Sequence, residues 1–91
     1  MKKYKATPKG EITEDIIYEL TFLKDWRVIK NSHDKVSFVK ELMNKMLSES
    51  FEIYGNDLYE NDDSYSLNVK GYFFEYERFS FENLFNVVEV E

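Results

Sequence analysis

Acidic side chains carry most of the chemistry this sequence could offer. Asp57, Glu60, Asp62 and Asp63 cluster within seven residues, and Glu75/Glu77 and Glu89/Glu91 are spaced two apart. A calcium loop of the EF-hand type needs oxygen ligands at alternating positions, a mid-loop Gly and a distal Glu. Here the order is wrong and no Gly interrupts the run, so a solvated acidic loop is the expectation and no metal is assigned. A glycosidase needs two carboxylates facing each other across a substrate cleft. A chain of 91 residues is short for such a cleft, and no pair stands out from the others.

His33 is the single histidine, set between Ser32 and Asp34. A Ser-His-Asp triad requires three groups converging from different parts of a fold. Adjacent residues in one turn diverge, and Ser, His and Asp at a helix start are ordinary capping residues. Gly10, Gly55 and Gly71 are isolated, so no phosphate-binding loop is present. With no cysteine, disulfides, thiolate metal sites and Cys nucleophiles are excluded. The expectation is a protein that is not an enzyme and uses no cofactor.

The elements that must position these groups form one domain, residues 1–91. Pro8-Lys9-Gly10 ends a first strand over 2–7. Thr13 caps a helix running to about residue 23, with Glu14 and Asp15 at its positive end; a strand over 16–22 is the competing reading. Trp26–Lys30 reads as a strand or connector. Asn31-Ser32 caps a helix over His33–Ser48, with Val36, Val39, Met43 and Met46 on its apolar face, widened by Leu42 and Leu47. The remainder reads as strands: 51–54, 65–70, 72–78 and 86–91, with a turn or bulge at Gly71 and one helical turn over Phe81–Phe85 capped by Ser80. In the third of these, Phe73, Glu75 and Glu77 lie opposite Tyr72, Phe74 and Tyr76. The expected fold is α+β: two layers, with about two helices on one face of a mainly antiparallel sheet.

Charge is unevenly distributed. Residues 1–50 balance at +2 and residues 51–91 at −8, giving the net −6, and the acidic part holds eleven of the sixteen aromatics. Phosphates and anionic membranes are repelled by such a surface, and basic proteins are attracted. Lys2 to Lys5 open like a signal peptide, but Pro8, Lys9, Gly10 and Glu11 replace the apolar region that would follow. A cytoplasmic location in a bacterial host is expected, without membrane or direct nucleic-acid binding. One Ala, one Pro, three Gly and two Arg against many Lys, Asn, Ile, Tyr and Phe indicate an AT-rich genome.

A protein occupying another protein's nucleic-acid site places carboxylates where phosphates would lie and adds aromatic anchors. Asp57, Tyr59, Glu60, Asp62, Asp63, Tyr65, Glu75 and Glu77 are the expected partner-binding residues. On a strand, Glu75 and Glu77 are about 7 Å apart, near the spacing of successive phosphates on one strand. Size, acidity, lack of cysteine and AT-rich usage resemble small inhibitors encoded by phages and mobile elements, the anti-CRISPR proteins among them. The resemblance is one of composition, without a shared motif, and transfers no residue. It implies inhibition of a nucleic-acid-handling defence complex. An immunity or antitoxin-type protein against a nuclease toxin and a homodimeric structural domain are the alternatives.

Overall fold

A computed structural model describes residues 2–55 and 64–90. The elements are β1 (Lys2–Pro8), α1 (Glu14–Leu20), α2 (Leu23–Asn31), α3 (Lys35–Met46), β2 (Phe51–Gly55), β3 (Ser64–Val69), β4 (Tyr72–Glu77), α4 (Arg78–Leu84) and β5 (Phe85–Val90). The strands form one antiparallel sheet in the order β4-β3-β2-β1-β5. The fold is α+β, as expected, with four helices among the described residues instead of about two.

Thr13 caps α1: its Oγ1 accepts from the Ile16 amide at 3.3 Å. The chain stays helical to Leu20 and then breaks, about three residues earlier than expected. Thr21 is the cause. Its hydroxyl donates to the Ile17 carbonyl at 2.8 Å and lies 3.1 Å from the Tyr76 hydroxyl in β4, so it is anchored to the sheet. Phe22 is extended (φ −66°, ψ 150°) and opens α2. The expected strand or connector at Trp26–Lys30 is therefore helix. The β-branched pair Val28-Ile29 favours a strand locally, but burial of Ile29 beside α3 overrides that preference. Asp25 lies in the first turn of α2, where a carboxylate suits the positive end of the helix.

Asp34, not Asn31-Ser32, caps α3, accepting from the Ser37 amide at 3.4 Å. The buried face of α3 is Phe38, Leu42, Met43 and Met46. Val36, expected in the core, is 74% exposed, and Leu47 is 42% exposed. The stripe is thus rotated toward Phe38, whose larger ring packs edge-on to Tyr72 and Phe74. Lys70 (φ 52°) and Gly71 (φ 89°) are the two central residues of the β3–β4 hairpin, between paired Val69 and Tyr72. Two positive φ values define the type I′ turn that matches strand twist. The Gly71 amide also donates to Asn68 Oδ1 at 3.0 Å.

One buried cluster joins Ile17, Ile29, Phe38, Leu42, Met43 and Met46 from α1–α3 to Ala6, Phe51, Ile53, Leu67, Val69, Phe74 and Tyr76 of the sheet. At its other end lie Tyr65, Phe81 and Phe85. Phe81 stacks on Phe85 with centroids 4.6 Å apart and meets Phe51, Tyr65 and Tyr76 at 5.5–6.2 Å. The second-half aromatics therefore serve two purposes, because the even and odd positions of β4 separate: Phe74 and Tyr76 enter the core, while Phe73, Glu75 and Glu77 do not. α4 begins at Arg78, three residues earlier than the single turn expected at Phe81, and Ser80 donates to Glu77 Oε1 at 3.3 Å.

Candidate functional site

The sheet positions outside the core present a face of their own. In register across the sheet, Glu77 lies opposite Ser64, Glu75 opposite Ser66, and Phe73 opposite Asn68. Ser66 also lies opposite Tyr54, and farther on Tyr54 pairs with Lys3 and Glu52 with Lys5. The small Ser66 leaves room for the rings of Tyr54 and Phe73 to meet edge to face, with centroids 5.9 Å apart. Phe79 follows Glu77 by two residues, in the first turn of α4, and is 73% exposed; Phe73 is 47% exposed. Along the chain, two exposed carboxylates are therefore flanked by two exposed phenyl rings.

Glu75 is held by Lys24 at 3.0 Å, and this carboxylate raises the Lys24 pKa through its hydrogen bond and charge. Glu52 faces Lys3 at 3.7 Å. Both pairs are solvated, so each contributes about 0–1 kcal/mol and is readily exchanged for a partner's guanidinium. Glu77 accepts only the Ser80 hydroxyl among the described residues. The face is also not uniformly acidic: Lys3 and Lys5 of β1 share it, so the acidic part is its β4 side.

Of the expected partner-binding residues, Glu75 and Glu77 lie on this face together. Tyr65 does not: it is 3% exposed, and its hydroxyl donates to Glu82. Arg78 covers it at 4.7 Å from ring centroid to guanidinium carbon. Burial and the Glu82 hydrogen bond push its pKa upward. Tyr65 is thus a packing residue, because the β3 alternation turns it inward with Leu67 and Val69. Asp57, Tyr59, Glu60, Asp62 and Asp63 lie outside the described residues; the segment that holds them joins β3 at Ser64, opposite Glu77. Phe73 and Phe79 were missed as site residues. The signal that would have found Phe73 is its place in the alternation of β4, on the side of Glu75 and Glu77. Phe79 carried no such signal, since its exposure depends on α4 starting at Arg78.

Around His33, Asp34 holds Lys70 at 3.0 Å, and this cation keeps its carboxyl below the ordinary range. Ser32 Oγ accepts from the Asp34 amide. Neither side chain is committed to the imidazole, and the three form no triad. Among the described residues no group of three His, Cys, Asp or Glu is placed to hold a metal ion, and no helix is long and apolar enough to cross a membrane.

No family model matches this chain, and no curated protein or solved structure shows significant similarity to it. The site's own chemistry is therefore the basis for a functional reading.

Proposed function

We propose that this chain is a protein-binding inhibitor, phage-encoded and anti-CRISPR-like, that blocks a nucleic-acid-handling defence complex in the bacterial cytoplasm without catalysis. It does so as a partial DNA mimic. The helices form one layer over one sheet face, and the opposite face remains for the partner. Glu75 and Glu77 stand in for phosphates, and Asp57, Glu60, Asp62 and Asp63, which precede Ser64 in the chain, add to the negative charge offered to the partner.

The observation that carries this reading is the sequence of exposed groups along β4 and into α4: Phe73, Glu75, Glu77, Phe79. Carboxylates alone would serve solubility. Two exposed phenyl rings beside them oppose solubility, and burying what remains exposed of each would contribute about 1–2 kcal/mol. Aromatic anchors within a charged rim are the composition of a binding hot spot.

The test is capture from a lysate of a low-GC bacterium on the immobilised protein, followed by elution with duplex DNA. Release of a nucleic-acid-binding protein by DNA supports the reading. Recovery of nothing but a second copy of the chain, as a dimer, would favour the homodimeric alternative.

The Lys24–Glu75 pair gives a finer prediction. Lys24 competes with any basic group the partner brings to Glu75. Lys24→Ala should therefore tighten binding by about 2–5-fold, the value of one exposed ion pair. Titration calorimetry of the DNA-eluted partner measures it; weaker binding would show that Lys24 itself belongs to the interface.

A further inference from the structure

A second surface, formed by helices instead of the sheet, has the opposite chemistry. An open groove of about 610 Å³ runs between α1, α2 and α3. Its floor includes buried Ile29 and Met43. Its wall is the Tyr18–Trp26 pair, stacked at 4.5 Å and fixed by the Trp26 indole N–H donating to the Tyr18 carbonyl at 3.3 Å. Tyr18 is 43% exposed, and Val36 on the facing wall is 74% exposed. Lys30, Lys35 and Lys40 rim the groove, with Glu14 as its one carboxylate. Among the described residues none of these lysines forms an ion pair, whereas Lys3, Lys24, Lys45 and Lys70 all do.

We infer that this groove docks an acidic amphipathic helix of a partner protein, through apolar anchors on the Tyr18–Trp26 wall and carboxylates on Lys30, Lys35 and Lys40. Charge complementarity selects the occupant. In a chain of net charge −6, three unpaired lysines around an apolar cleft are a local reversal of sign, and they repel the basic partner proposed for the sheet face. Shape selects a helix over a small ligand. The groove is open to solvent and lined by side chains of three helices, a setting in which an amphipathic helix can lay down its i, i+3, i+4, i+7 face. A small ligand site would enclose most of its occupant.

Trp26 is the single tryptophan and reports directly on the groove. The probe is a synthetic peptide of about 15 residues with Leu at helical i, i+3, i+4, i+7 spacing and Glu and Ala elsewhere, beside a scrambled peptide of equal composition. The expected result is saturable change in Trp26 fluorescence with the patterned peptide alone. Val36→Asp and the double variant Lys35→Glu/Lys40→Glu should each weaken it at least about tenfold, as should raising salt from about 0.05 to 0.5 M. All three positions are solvent-facing, so these variants fold; circular dichroism checks this. Glu75→Lys/Glu77→Lys should leave peptide binding unchanged, which separates this surface from the sheet-face proposal. Absence of a fluorescence change up to about 1 mM peptide, equal binding of the scrambled peptide, or indifference to the groove variants would overturn the inference. So would binding of a fatty carboxylate in place of the peptide, or self-association lost in Val36→Asp, since these assign the groove to a small amphiphile or to a second copy.

Discussion

Phe81→Ala should lower the melting temperature by about 15–30 °C, whereas Phe79→Ala, two residues earlier in α4, should change it by no more than about 3 °C. The difference lies in what each ring touches. Phe81 is fully buried, stacked on Phe85 and tilted or edge-on to Phe51, Tyr65 and Tyr76. Truncating a buried Phe costs about 3–5 kcal/mol, the lost transfer energy together with the cavity left behind. In a domain of this size each kcal/mol is worth about 4–8 °C. Phe79 is 73% exposed and has little packing to lose. Phe79→Ala should instead weaken partner binding, by at least about 1 kcal/mol if the ring anchors the interface. Thermal denaturation followed by circular dichroism measures the first effect. A Phe81→Ala melting point within a few degrees of the wild-type value would mean that this aromatic cluster does not hold α4 to the sheet.

Between pH 4.5 and 7.5 the protein should lose stability, and Asp25→Asn should abolish most of that loss. Asp25 is 5% exposed, and its Oδ2 has no hydrogen-bond partner among the described residues. Burial pushes its pKa up to about 6; Lys24 and the Phe22 amide oppose the shift, and the Glu75 charge adds to it. The folded state thus binds a proton that the unfolded chain releases near pH 4. A raised carboxyl pKa supports folding at acid pH, and that support is lost as pH climbs through about 6. The loss is on the order of 2–3 kcal/mol. Asp34 works in the opposite sense, since Lys70 holds its carboxyl low and its contribution fades only below the ordinary carboxylate range. Asp25→Asn keeps the size of the side chain and removes the charge. Urea midpoints should therefore differ little at pH 4.5 and favour the variant at pH 7.5. A wild-type midpoint that rises or stays level over this window would place the Asp25 carboxylate in water.

Elements were legible in the sequence where local and tertiary preferences agree. The Thr13 cap, the acidic first turn of α1 and the alternation of β4 are all local signals, and each matches the structure. The α1–α2 break was not legible because it depends on the Tyr76 hydroxyl, 55 residues from Thr21. Val36 and Phe38 illustrate the same limit. A helical stripe is only as narrow as its neighbours make it, and the large edge-on space beside Tyr72 and Phe74 rotates α3 toward Phe38. The site divides in the same way. Alternation placed Glu75 and Glu77 together, but charge counting drew in Tyr65, which belongs to the core, and could not see that Lys24 and Lys3 partly neutralise the face. Lys30, Lys35 and Lys40 did not register in the sequence because they are interleaved with acids along the chain. Only the packing of three helices collects them around one groove.

The proposed role of the β4 side of the sheet is to bind a basic, nucleic-acid-handling protein. Its most direct test is the affinity of the DNA-eluted partner for the wild-type chain and for Glu75→Lys/Glu77→Lys, measured by calorimetry at matched salt. Both carboxylates are exposed, so the fold tolerates the change. Weakening by at least about 100-fold, with a melting temperature within about 8 °C of the wild-type value, is the expected result. An affinity equal to that of the wild-type chain would contradict the claim and reduce the acidic face to a determinant of solubility.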